Sequence, residues 1–176
     1  MIITPTNLKD LHVITREPRE DDRGTFSRMF CQNELQKAGI DFTIVQINQG
    51  FSKHKGTLRG MHHQTTPKEE GKIFYCIQGS VFDAVIDMRE DSPTYKKWFG
   101  IELNANNKKM LYIPKGFSHG YQTLEDNTLV EYFVSEFYSP EFEKGIRYDD
   151  PSIGIKWPLS QPLLSPKDKQ WPLLSS

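Results

Sequence analysis

Cysteine is scarce: Cys31 and Cys76 are the only two in 176 residues, far apart and without metal-type spacing. That excludes a disulfide framework and a cysteine zinc site, and leaves two thiols expected to be buried. An excess of either charge is also missing. Lys and Arg number 22 against 23 Asp and Glu, for a formal net charge of −1. The chain therefore has no basic surplus for nucleic acid and no polybasic cluster for a membrane surface. No apolar run approaches membrane-spanning length, and Met1-Ile2-Ile3-Thr4-Pro5 carries no charged leader region, so the expected address is the cytoplasm. Fixed-period repeats, low-complexity linkers and a dinucleotide-binding glycine motif are all absent. The length suits a single domain, 1–176, with a sizeable core.

What the chain does have is frequent Pro and Gly punctuation between short runs rich in Val, Ile, Phe, Tyr and Thr. Strands are expected over 11–15, 25–30, 42–48, 58–64, 72–77, 81–88, 97–103, 110–113, 117–124 and 128–137. A charged turn is expected over 17–24, another turn at Gly50, Ser52 and Gly56, and one short helix over 32–38, ended by Gly39. Roughly ten short, evenly spaced strands with one short helix predict an all-β protein, a double-sheet jelly roll before a small barrel. The tail from Asp149 holds Pro151, Pro158, Pro162, Pro166 and Pro172, and reads as an extended, weakly helical segment. Trp157, Leu163, Leu164 and Trp171 predict that it packs down on the domain.

The chemistry concentrates in Leu58-Arg59-Gly60-Met61-His62-His63-Gln64, followed by Lys72 at the head of the apolar run Ile73-Phe74-Tyr75-Cys76-Ile77. Histidine titrates near neutrality, so it can take a proton at cellular pH and return it. Strand parity sorts the polar residues into faces: Gln46 with Asn48, His119 with Phe117 and Tyr121, Tyr132 with Val130 and Val134. Such a polar set among aromatics and valines describes a ligand pocket. Arg59 and His62 have opposite parity and share a face only if Gly60 marks a bulge. A metal reading competes. Pro114-Lys-Gly-Phe-Ser-His119 resembles the second metal motif of cupins, with His62, His63 and Glu69 or Glu70 as further donors. The first cupin motif, however, places two histidines one residue apart on a single strand face, whereas His62 and His63 are adjacent.

Further motifs complete a pattern: Asp22-Arg-Gly-Thr-Phe26, Gln46-Ile-Asn48, Gly56-Thr-Leu-Arg-Gly-Met-His-His-Gln64, Lys72, Val81-Phe-Asp-Ala-Val-Ile-Asp-Met-Arg89 and Ser92-Pro-Thr94. In the same order follow Tyr112-Ile-Pro-Lys-Gly-Phe-Ser-His-Gly120, Tyr132, Tyr138-Ser-Pro140, Asp149-Asp-Pro151, Gly154-Ile-Lys-Trp-Pro158 and Leu164-Ser-Pro-Lys-Asp168. From Asp22 to Asp168 the chain resembles the dTDP-4-dehydrorhamnose 3,5-epimerase family of nucleotide-4-keto-sugar epimerases. The resemblance implies a cupin-type double-stranded β-helix with few short helices, no metal or other cofactor, a nucleotide-sugar substrate and a homodimer. It makes His62 the general base, Asp168 its carboxylate partner, Tyr132 the general acid and Lys72 the cation at the C4 carbonyl. Gln46, Asn48, Arg59 and His119 would line the sugar and phosphate site, and Tyr138 would be an aromatic near it. Arg23, Phe26 and Arg28 would lie on an N-terminal segment reaching across the dimer to the nucleotide. The chemistry agrees: protons beside a ketone become removable when the enolate is stabilised, and inversion needs a base on one face and an acid on the other. His63, Arg28 and the Gln49-Gly50 pair depart from the commonest family pattern. These departures leave open the nucleotide (dTDP, CDP or GDP); the motifs do not separate inversion at C3 alone or C5 alone, and a catalytically silent sugar-nucleotide-binding cupin is the alternative reading.

Overall fold

The structure is a computed structural model and describes residues 1–174. In chain order its elements are β1 (Ile2–Pro5), β2 (His12–Thr15), β3 (Arg19–Asp21), β4 (Gly24–Phe26) and α1 (Gln32–Lys37). Then come β5 (Gln46–Ser52), β6 (Leu58–Gln64), β7 (Lys72–Gln78), β8 (Ser80–Asp87), β9 (Trp98–Asn104), β10 (Lys109–Ile113), β11 (Phe117–Thr123) and β12 (Thr128–Val134). A 3₁₀ turn leads to β13 (Glu143–Gly145), and the tail carries α2 (Pro166–Lys169). Among the described residues no helix is long and apolar enough to cross a membrane.

Two antiparallel sheets stack as the expected cupin-type jelly roll. One has the order β1-β2-β10-β7-β12-β5, the other β13-β6-β11-β8-β9, and β3 pairs with β4 as a separate ribbon. The run in β7 shows why a continuous apolar stretch becomes a strand buried on both faces. Phe74 and Cys76 point between the sheets with Val85, Leu111, Phe117 and Val130, while Ile73 and Tyr75 point outward to Leu35, Phe42 and Phe133. Helix α1 covers that outer face through Leu35, and Gly39 closes it in left-handed backbone, φ 77°. On the other sheet Met61, Ala84 and Ile86 are covered by Ile153, Ile155 and Trp157 of the C-terminal tail.

The tail is packed down as expected. Leu163 exchanges backbone bonds with Gly56 and Leu58, Gln122 bonds Leu159 at both ends of its amide, and Arg147 N–H donates to the Pro172 carbonyl. Local readings are corrected and one strand is added. The turn over 17–24 is a β3–β4 hairpin, and the strand expected to reach residue 30 stops at Phe26 because no third strand pairs there. Gly50 and Ser52 belong to β5, which is carried that far by β12. The first strand, β1, goes unrecognised in the sequence because it is an edge strand with mostly exposed side chains. Cys76 is buried as expected, but Cys31 is only half-buried at the start of α1.

Candidate active site

The site begins with the glycine. Across β6 and β11, His62 pairs with His119 and Arg59 with Tyr121, so three steps on β6 match two on β11. That one-residue bulge sits at Gly60, whose φ of 127° suits glycine and whose added Cβ would lie 2.5 Å from Gly120 Cα. Met61 takes up the extra residue and drops into the outer core. Arg59 and His62 consequently border one cavity between the sheets, as the parity argument required.

That cavity has two adjoining lobes. One, about 470 Å³, is bordered by Arg59, His62, Lys72, His119, Tyr132 and Asp168 among others. The second, about 350 Å³, is bordered by Gln46, Asn48, His63, Glu70, Tyr138 and Glu143, and shares His62, Lys72 and Tyr132 with the first. The shared three are the expected base, cation and acid.

His62 Nε2 lies 2.5 Å from Asp168 Oδ1. An ionised carboxylate only accepts, so Nε2–H donates to it and the ring is held in one orientation. Asp168 is 4% exposed on α2. Ser165 caps that helix by accepting from Asp168 N–H and donating to Oδ2 at 2.8 Å. Burial pushes the Asp168 carboxyl up, but hydrogen bonding and charge from His62, then Ser165, hold it below its ordinary value. A second pair stands on the neighbouring strands, His119 Nε2 to Asp83 Oδ1 at 2.6 Å. Asp83 is fully buried, which pushes its carboxyl up against the opposing pull of His119, and its Oδ2 has no partner.

Lys72 Nζ lies 2.8 Å from Glu70 Oε1. Tyr132 stacks on Phe74 at 6.0 Å between ring centres. Arg59 reaches back along β5 to the Phe51 carbonyl at 3.1 Å. Around the smaller lobe, Tyr138 N–H donates to Gln46 Oε1, and Glu143 Oε2 accepts from both Tyr138 Oη and Lys167 Nζ, at 2.7 and 2.5 Å. Burial, followed by the nearby charges of Lys72 and His62, pushes His63 down to about 4, and its Nδ1 has no partner.

Nine of the twelve expected site residues thus border the two lobes: His62, Asp168, Tyr132, Lys72, Gln46, Asn48, Arg59, His119 and Tyr138. Arg23, Phe26 and Arg28 do not. Arg23 pairs with Asp21 on the hairpin, Phe26 is 71% exposed, and Arg28 pairs with Glu34. Sequence reasoning missed Asp83, Glu143, Ser165 and Lys167, and weighed Glu70 only as a metal donor. Asp83 did leave a signal: it shares inner-face parity with Val81 and Val85, and a carboxylate there requires a partner. Glu143 left none. Among the described residues no group of three or more His, Cys, Asp or Glu is arranged to hold a metal ion.

A histidine–carboxylate pair, an ammonium and a phenol around one cavity of a jelly roll make a cupin-type protein whose cavity carries groups able to take and give protons. The family model described as dTDP-4-dehydrorhamnose 3,5-epimerase matches residues 5–176. A relative of that description from Shigella flexneri is 41% identical over 169 residues, covering 96% of this chain and 93% of its own. The crystal structure of the Bacillus anthracis dTDP-4-dehydrorhamnose 3,5-epimerase with TDP and PPi bound superposes with a TM-score of 0.95 at 39% identity, covering 98% of this chain and 99% of that one. The Legionella pneumophila dTDP-6-deoxy-D-glucose-3,5-epimerase, in complex with dTDP-4-keto-L-rhamnose, superposes at 0.92 with 38% identity, covering 98% and 92%. The chain belongs to the dTDP-4-dehydrorhamnose 3,5-epimerase family, and it is an isomerase.

Proposed function

We propose that this enzyme inverts C3 and C5 of dTDP-4-dehydro-6-deoxy-D-glucose to give dTDP-4-dehydro-L-rhamnose. The observation that carries this reading is the convergence of His62, Lys72 and Tyr132 on the junction between the two lobes. His62, oriented by Asp168, removes the proton beside the ketone. Lys72 steadies the negative charge that forms on the C4 oxygen, and Tyr132 returns a proton from the opposite face. A proton leaves and a proton arrives at each carbon, so the reaction has no net redox change and needs no redox cofactor. Arg59 and His119 in the larger lobe, with Gln46, Asn48 and Tyr138 in the smaller one, line the site for sugar and diphosphate. The active unit is a homodimer in the cytoplasm, in which Arg23, Phe26 and Arg28 serve the partner's nucleotide site. Phe26 on the hairpin, at 71%, and Ile47 and Phe51 on edge strand β5, at 57 and 50%, are exposed apolar side chains that support an interface.

Proton NMR in D₂O with the purified dTDP sugar tests the reading. Deuterium is expected at both C3 and C5 with formation of inverted product, and more slowly with CDP or GDP analogues. Tyr132→Phe keeps the ring but deletes the transferable proton, so exchange should continue while inverted product falls. The ratio of deuterium incorporated to product formed should therefore rise. An unchanged ratio would make Tyr132 a pocket wall, and substrate binding without exchange would make the protein a silent sugar-nucleotide binder.

A further inference from the structure

We propose that Glu70 is a positioning residue for the reaction: its carboxylate fixes the Lys72 ammonium so that the remaining N–H donors face the oxygen that becomes the enolate. The role rests on the epimerase reading above and deepens it.

Glu70 and Lys72 flank Gly71, and the backbone between them is clamped. Gly71 N–H donates to Ser135 Oγ at 2.8 Å, and the Gly71 carbonyl accepts from Ser135 N–H at 3.0 Å. The side chains then meet at 2.8 Å with only 12 and 14% of their surfaces exposed. An ion pair removed this far from water adds little to stability, because desolvation of both charges offsets their attraction. Its position is informative instead. Lys72 borders both lobes, whereas Glu70 borders only the smaller one. The carboxylate therefore holds the ammonium from one side and leaves the other side open to the cavity.

Lysine needs such a partner here. Its ammonium rides on a flexible four-carbon stem, and a cation stabilises a developing oxyanion only if it is aimed before the charge appears. The nearby imidazole of His63 is held neutral and so adds no second positive charge beside the ammonium, but it supplies no counter-charge either. Glu70 is the one carboxylate the structure puts in contact with Lys72 among the described residues.

The experiment compares wild type, Glu70→Gln, Lys72→Met and the double variant, measuring turnover and deuterium wash-in with dTDP-4-dehydro-6-deoxy-D-glucose, together with affinity for dTDP. Glu70→Gln should lower kcat and wash-in roughly 10- to 100-fold, short of the ~10²–10³ expected for outright loss of an oxyanion donor. KM and dTDP affinity should stay within about twofold, since the loss falls on the transition state. In the Lys72→Met background the second change should alter kcat by less than about twofold, because a residue acting through Lys72 has nothing left to act on. Glu70→Asp, which keeps the charge, should recover part of the loss and serves as the probe if Glu70→Gln does not fold. Wild-type kcat in Glu70→Gln, a change confined to KM, or full additivity in the double variant would each overturn the role. A wild-type enzyme that exchanges nothing would instead sink the epimerase reading, a result distinct from any of these.

Discussion

His62 and His63 are neighbours in sequence with opposite assignments. His62 hydrogen-bonds a carboxylate and is the proposed base, whereas His63 has a buried Nδ1 without a partner and is pushed down to about 4. The consequence for stability has a definite sign. Between about pH 6.5 and 4 the unfolded chain protonates this histidine and the folded chain does not, so stability falls as pH is lowered through that window. His63→Phe should remove on the order of 2 kcal/mol of that loss. Urea midpoints at pH 7 and pH 4.5 measure it, and an equal drop in wild type and variant would show that His63 is not the group responsible. Asp87 acts in a separate, lower window. Burial pushes its carboxyl up, but Arg89, Ser92 and Thr94 outweigh that and hold it at about 2. Its contribution is complete above the ordinary aspartate value and lost only as pH falls toward 2.

At the scale of elements, the site depends on a strap, the C-terminal segment that lays α2 beside β6. Trp171 sits directly over Gly145, where an added Cβ would fall inside the indole, and its edge faces His62 at 5.9 Å between ring centres. Gly145 is paired in register with His62 on β13, so strap and base share one seat. Gly145→Ala should lift Trp171 and carry α2 and Asp168 with it. The sheets are untouched, so the stability cost should be ordinary overpacking, about 1–3 kcal/mol. Turnover should nonetheless fall as far as in Asp168→Asn, because His62 loses the same partner. Steady-state kinetics with tryptophan fluorescence checks this, and wild-type turnover in Gly145→Ala would mean that α2 is held independently of Trp171.

For the whole molecule, the three expected site residues that stay away from the cavity all lie near the N-terminal hairpin. Arg23 is 90% exposed at its side chain and Phe26 stands out from the surface, while β5 leaves a free edge on the six-stranded sheet. In the proposed dimer, a second copy that takes up this segment would cover both features. Light scattering should give a dimer. Mixing Arg23→Ala with His62→Ala, each nearly inactive, should restore about a quarter of wild-type sites, since only mixed dimers contain one site free of both lesions. A fully active monomer, or no recovery on mixing, would place Arg23 outside the site.

Much of this protein was legible locally. Period-two alternation set which side chains face the cavity in β5, β11 and β12, and Gly39 marked the end of α1. The opposite parity of Arg59 and His62 required a bulge at Gly60, because a strand gives each residue only two directions. Strand ends were less legible, since a strand stops where its neighbour stops: β12 ends at Val134 and β4 at Phe26 for lack of further pairing. The partners within the site belong wholly to the tertiary structure. His62 finds Asp168 across 106 residues and His119 finds Asp83 across 36. Spacing along one strand reports a face and says nothing about which strand lies beside it. Sheet register brings Asp83 beside His119, and the path of the tail, capped at Ser165, delivers Asp168. Family resemblance pointed to Asp168, while the pairing of Asp83 with His119 and the clamp of Glu70 on Lys72 emerged only once the sheets were stacked.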